Sequence, residues 1–257
     1  MFVAITRSVP PSITRCELTH VARQSIDYHR VRAQHAAYER ALETLGCRIQ
    51  RLPDTPDLPD SVFVEDAAVV FDEIAVLTRP GAASRRPEIE SVAAALEPQR
   101  TLAFIEEPGT LDGGDVLTVG KTVYVGLSRR TNADGARQLE DAVAPFGYRV
   151  VRAAVDGCLH LKSAVTAVSD GAVLLNPAWI DPRVFAAHDR IDVDPSEAAA
   201  ANVLRVGDRV LVAAAFPRTN DRVAQRGAQI AIVDVSEVAK AEGALTCCSI
   251  LVRTLGS

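Results

Sequence analysis

The 257-residue sequence contains no run of the roughly 18 to 20 apolar residues that a membrane-spanning helix requires, so such a span is not expected. Its opening stretch, MFVAITRSVPP, lacks the long apolar region of a secretory signal and reads as a first strand. There is no CxxC pair, which makes a structural zinc site improbable. There is no EF-hand spacing, Walker loop or GxGxxG, so calcium and nucleotide chemistry find no support. Cysteine is sparse: Cys16, Cys47, Cys158, Cys247 and Cys248 are odd in number and irregular in spacing. That argues against a disulfide framework and for a reducing, cytoplasmic setting. Basic residues (28) are outnumbered by acidic ones (33), which speaks against a nucleic-acid partner. Lysine occurs only at Lys121, Lys162 and Lys240, so arginine carries most of the positive charge. What is present is ordinary globular composition, 48% hydrophobic and 24% charged, in a chain long enough to bury a sizeable core. The closing Gly256-Ser257 pair carries no signal for fold or chemistry.

An internal repeat organises the chain. Four segments share the order apolar strand, turn, apolar strand. They begin at Asp66, Asp115, Ser163 and Asn202, with turns at Asp72-Glu73, Gly120-Lys121, Asp170-Gly171 and Gly207-Asp208. Helical stretches follow at about 84–96, from Asn132 to about Pro145, at about 182–187, and after Asn220 to about Arg226, with Thr or Asn able to cap their starts. A fifth unit forms only by joining the ends: Cys247–Thr254 supplies one strand, Phe2–Thr6 another and CRIQRLP a third. Its helix runs from about Asp27 to Leu45, with the stripe Tyr28, Val31, His35, Tyr38, Leu42 and Leu45. Repeats stacked in a line need caps, whereas a ring closes on itself. The expectation is a single α/β domain over 1–257, a five-bladed α/β propeller with pseudo-fivefold symmetry. A three-layer α/β sandwich is the competing architecture.

One polar residue falls at the start of each unit's first strand. These are Asp66, Asp112, His160, Asn202 and Cys247, spaced 46, 48, 42 and 45 residues apart. In a ring such positions converge near the axis, bringing together a thiol, an imidazole and carboxylates, the set that thiolate catalysis needs. A cysteine in a strand is more often a small buried hydrophobe, and a lone histidine between leucines a core residue. Their equivalent places in the repeat argue for a role. If the strand is regular, only one of Cys247 and Cys248 can face a central pocket, and the pattern does not choose between them. Asp60, Glu65, Asp66, Asp112 and Asp115 flank apolar runs and glycines, and a pocket rich in carboxylates selects a cation. Arg85, Arg86, Arg129 and Arg130 follow the hairpins and could fork onto a carboxylate.

The segments PDSVFVEDAAVV, RPGAASRR, GTLDGGDVL, SRRTNADGA, CLHLKSAV and LTCCSIL fall in order along nearly the whole chain. Together they resemble the dimethylarginine dimethylaminohydrolases of the guanidine-modifying pentein superfamily. The resemblance implies the five-bladed α/β propeller and release of methylated amines from arginine. It implies Cys247 as nucleophile, His160 as general acid and base, and Asp112 as the acidic partner of the histidine. It implies Glu65 and Asp66 as guanidinium-binding carboxylates, Asp60 as a nearby substrate contact, and Arg85 and Arg130 as binders of the amino-acid carboxylate. Leu18 falls in a segment like the family's mobile lid.

The expected reaction converts N-methylated arginine, asymmetric dimethylarginine or monomethylarginine, to citrulline plus dimethylamine or methylamine through a covalent thiouronium on Cys247. No cofactor is expected, although Cys247 and His160 could hold an inhibitory zinc ion. The expected partner is a small guanidino molecule, with the protein a monomer or homodimer. An arginine deiminase or another guanidine hydrolase of the same fold, or a catalytically silent binder of arginine derivatives, are the rival readings.

Overall fold

The repeat is realised as five three-stranded sheets in the computed structural model, which describes residues 1–254 and leaves the Gly256-Ser257 pair outside. The chain opens with β1 (Phe2–Thr6), α1 (Tyr28–Thr44) and β2 (Cys47–Arg51). Next come β3 (Ala68–Val70), β4 (Ile74–Leu77), α2 (Ile89–Leu96) and β5 (Thr101–Phe104). They are followed by β6 (Val116–Val119), β7 (Thr122–Leu127), α3 (Ala133–Val143) and β8 (Arg149–Ala154). The fourth group is α4 (Leu161–Ala164), β9 (Val165–Ala167), β10 (Ala172–Leu175) and β11 (Asp189–Asp192). The last is β12 (Leu204–Val206), β13 (Arg209–Ala213), α5 (Pro217–Gln225), β14 (Gln229–Val233), α6 (Ser236–Ala239) and β15 (Ile250–Arg253).

Every sheet has the same connectivity. A hairpin pairs the first two strands antiparallel, and the third lies parallel to the second: β3-β4-β5, β6-β7-β8, β9-β10-β11 and β12-β13-β14. The fifth sheet is β15-β1-β2, with Ile5 opposite Ile250, so the two ends of the chain share one sheet as the repeat requires. The hairpins turn where expected, and Gly120 and Gly207 take the left-handed φ (+59° and +63°) that these turns demand. A parallel third strand needs a crossover, which a helix supplies in four units and a single turn at Pro182–Phe185 in the unit of β9–β11.

Helix boundaries moved where proline intervened. Residues 83–88 form a tighter 3₁₀ turn containing Pro87 before α2 begins. Asn132 caps α3 as expected, accepting from Gly135 N at 2.8 Å. Asn220 does not cap α5. The helix starts earlier, at Pro217, whose fixed φ suits a first helical position, and Asn220 lies inside it, donating to the Ala213 carbonyl.

The second strands explain the apolar runs that first marked the repeat. Each is buried on both faces, and its residues alternate between two apolar clusters. Ala75 and Leu77 pack with Val3, Ile5 and Val252, whereas Ile74 and Val76 pack with Val123 and Val125. Tyr124 joins Val173 and Leu175, Leu174 joins Val210 and Val212, and Leu211 joins Ala4 on β1. The first strands β3, β6, β9, β12 and β15 all line a single cavity of about 280 Å³. Among the described residues no helix is long and apolar enough to cross a membrane.

Candidate active site

The five repeat-equivalent residues do not begin strands. Asp66 and Cys247 sit in single 3₁₀ turns (Val64–Ala67 and Thr246–Cys248), and Asp112 and His160 immediately precede such a turn or α4. A helical turn sorts neighbouring side chains differently from a strand. Asp66 faces a narrow enclosed cavity of about 20 Å³ together with His160 and Cys247, while Glu65 is turned to the large cavity lined by the first strands.

Charges alternate along a buried line through this site. Glu88 meets Arg85 at 2.8 Å and Arg85 meets Asp66 at 2.5 Å. Asp66 faces His160 Nδ1 at 3.9 Å, His160 Nε2 bonds Asp112 at 3.0 Å, and Asp112 faces Arg130 at 3.6 Å. Burial alone would push the imidazole toward neutrality, but Asp66, Asp115 and Asp112 outweigh it and raise His160 to about 9. Burial opposes ionisation of Asp66 too, yet His160, Arg85 and the Gly114 N–H hold its carboxyl down at about 2. Asp115, wholly buried and raised to about 6 by that burial, accepts from Leu161 N at 2.9 Å and Ser128 Oγ at 2.6 Å, anchoring the backbone beside His160.

Cys247 is half-buried, and Cys248 belongs to the apolar cluster around Ala4 and Tyr38. This resolves the ambiguity of the adjacent pair. Burial, then Glu65 and Asp66, push the Cys247 thiol well above its ordinary range, so in the free site it is a thiol. Burial raises Cys248 and Cys158 to about 12, as for inert core cysteines, and all five cysteines are free. Asp66, Asp112 and His160 are the one His/Cys/Asp/Glu group among the described residues close enough to hold a metal ion together, and Cys247 is outside it. Arg85 and Arg130 already face the two carboxylates of that trio.

The remaining anticipated residues divide. Asp60 and Arg130 line the cavity, and burial raises Asp60 to about 6. Arg85 lines it as well, but is 4% exposed and directs its donors to Glu88, Asp66 and the carbonyls of Asp60 and Phe63. At most one of its five N–H groups is free for a ligand. Glu65 accepts from Lys162 Nζ and Thr246 Oγ1, each at 2.6 Å. Leu18 packs on the apolar cluster around Ala4, and its neighbour Glu17 lines the cavity instead. Sequence reasoning missed Glu88, Lys162, Thr246, Glu17 and Glu242. Glu88 alone had a usable signal, an acid three residues after Arg85 at a helix start.

Known proteins match this chain over most of its length. The family model described as N,N dimethylarginine dimethylhydrolase, eukaryotic, matches residues 18–252. The N(G),N(G)-dimethylarginine dimethylaminohydrolase of Streptomyces coelicolor is 43% identical over 254 residues, 98% of this chain and 97% of that protein. The enzyme of the same name from Pseudomonas aeruginosa is 36% identical over 87% of this chain and 89% of its own length. A solved structure of the Pseudomonas aeruginosa protein, a cysteine-to-serine mutant complexed with citrulline, superposes with a TM-score of 0.94 at 34% identity, covering 98% of this chain and all of that one. The N-terminal domain of ArgZ, a cyanobacterial arginine dihydrolase, shares the fold at 19% identity, with a TM-score of 0.85 over 99% of both chains. Sequence and structure agree over most of the length, and this chain belongs to the dimethylarginine dimethylaminohydrolase family.

Proposed function

We propose that this protein hydrolyses N-methylated arginine to citrulline and methylamine or dimethylamine. The observation that carries the reading is the cavity shared by Cys247 and a histidine whose two ring nitrogens both face carboxylates. A histidine held at about 9 is an acid at neutral pH, which suits protonation of a departing amine. A cysteine kept as a thiol by burial, and then by Glu65 and Asp66, needs a cation to release its proton, and the guanidinium is that cation.

In the proposed cycle the guanidinium docks against Asp66 and Asp112, and the thiol proton leaves to solvent as the two carboxylates acquire a positive neighbour. The Cys247 thiolate forms a C–S bond to the central guanidinium carbon. The bond from that carbon to the methylated nitrogen breaks, with the proton for the amine coming from His160. The neutral His160 then takes a proton from water as its oxygen attacks the thiouronium carbon. Cleavage of the C–S bond, with the remaining hydroxyl proton passing to solvent, frees citrulline and restores the thiolate. Arg130, with the remaining donor of Arg85, receives the amino-acid carboxylate, and Asp60 the ammonium group. The placement of Glu65 supports an indirect role through the charge it sets near Cys247.

The five sheets are proposed as blades of a ring in one domain. Five apolar clusters each shared by two successive sheets, the last joining β13 to β1, support this reading. Five free cysteines support a reducing, cytoplasmic setting.

The test is product analysis with asymmetric dimethylarginine, monomethylarginine and arginine, with Cys247→Ser beside the wild type. Citrulline with the matching amine, and a loss of about 10³-fold or more in the variant, is the expected result. Turnover of arginine alone, with ammonia released, would establish a deiminase. Binding without turnover would leave a silent binder.

A further inference from the structure

We propose that Glu242 is a positioning residue that latches the segment Glu17–His20 over the cavity of Cys247. Glu242 is the one non-glycine residue at positive φ (+56°) among the described residues. That backbone conformation costs free energy for a residue with a Cβ and persists where the surroundings enforce it, often at functional sites. It stands just past α6, where a left-handed residue is most often glycine. The next residue is a glycine, but Gly243 serves another purpose: a Cβ there would come within 2.3 Å of the Phe63 ring. The chain thus places a carboxylate where the backbone favours glycine.

The carboxylate has a defined job in the structure. Its two oxygens accept from the backbone N–H groups of Thr19, at 2.5 Å, and His20, at 2.6 Å. The Asp60 carboxylate, which also lines the cavity, accepts from Glu17 N at 3.1 Å and 3.3 Å. Three N–H groups of one irregular segment are therefore held by two carboxylates from distant parts of the chain, 43 and more than 200 residues away. Apart from these bonds, Leu18 packs on the apolar cluster around Ala4 and Glu17 accepts from Ser84 Oγ at 2.9 Å, whereas His20 is exposed and Val21 is 40% exposed. Glu17 and Glu242 both line the cavity. With the latch made the cavity is small, about 20 Å³, so it must widen for the latch to re-form over a substrate. The segment must open to admit a substrate and close behind it. Glu242 lies five residues before Cys247, so closure is tied to the turn that carries the nucleophile.

The kinetic consequence rests on the methylarginine reading, whereas the latch itself does not. The test is hydrogen exchange of the peptide covering 17–23, read by mass spectrometry, in wild type, Glu242→Gln and Glu242→Gly. Glutamine keeps one acceptor oxygen and opposes the other N–H with a donor. Glycine removes the carboxylate while accepting the backbone conformation, so the variant folds and melts at or above the wild-type temperature. The expected result is exchange of the Thr19 and His20 amides about tenfold faster or more in both variants, with KM for methylarginine rising by a similar factor and kcat falling less. Unchanged exchange in both variants would overturn the latch, as would a glycine variant with wild-type KM. Faster exchange in proteins that turn over no methylarginine would uphold the latch and remove the proposed reaction.

Discussion

Protonation at individual residues governs the chemistry. His160 has its folded-state value raised to about 9 from an ordinary 6.5. Its stabilising contribution is therefore complete below about 6.5 and is lost as pH rises through 9, amounting to about 3 kcal/mol at most. Asp66, held at about 2, contributes above its ordinary 3.8, and that contribution disappears as pH falls through 2. Denaturant unfolding of the wild type should show stability declining between pH 7 and 10, and His160→Gln should flatten that decline. Asp112→Asn removes both a hydrogen bond and a charge that raise His160, so the alkaline limb of kcat/KM should move to lower pH. A limb that stays in place would mean that another group sets it. For Cys247, kept as a thiol by burial and by Glu65 and Asp66, a cationic electrophilic amidine should label the free enzyme at least about tenfold faster than its neutral amide analogue. Equal rates would show that no cation is needed to release the proton.

At the scale of the element, two adjacent glycines of GTLDGGD separate packing from chemistry. A Cβ on Gly113 would meet the Glu65 carbonyl at 2.0 Å, so Gly113→Ala forces apart the turn carrying Asp66 and the turn carrying Asp115. A Cβ on Gly114 would meet His160 Nδ1 at 2.6 Å and Asp66 Oδ1 at 2.9 Å, within the site itself. Gly113→Ala should cost stability, about 1–3 kcal/mol as overpacking typically does, visible as a lower melting temperature. Gly114→Ala should lose most of kcat with a smaller change in melting, because side chains give way more readily than backbone. The reverse ranking would show that the histidine tolerates displacement.

Across the whole molecule, stability should be cooperative, because each second strand belongs to two cores at once. Leu77→Ala, in a fully buried position, should cost about 2–5 kcal/mol within a single unfolding transition. Separate transitions by calorimetry would show that the units fold independently.

Continuous apolar runs, Asp-Gly and Gly-Asp turns and the spacing of Asp66, Asp112, His160 and Cys247 made the repeat, its hairpins and a set of candidate site residues legible from the sequence. These signals are local, and each repeat restates them. The chain order alone was silent on what depends on a single helical turn. That Glu65 faces one cavity and Asp66 the other, and that Cys247 faces the site while Cys248 enters the core, follow from backbone turns that no periodicity announces. The partners of buried charges were equally hidden. Glu88 on Arg85, Lys162 on Glu65 and Glu242 on the segment around Thr19 are, except for the first, contacts between residues far apart in the chain. Residue types and their order thus determined which chemistry was possible here, while tertiary packing decided which carboxylate meets which cation, because burial makes every such charge depend on its nearest neighbour.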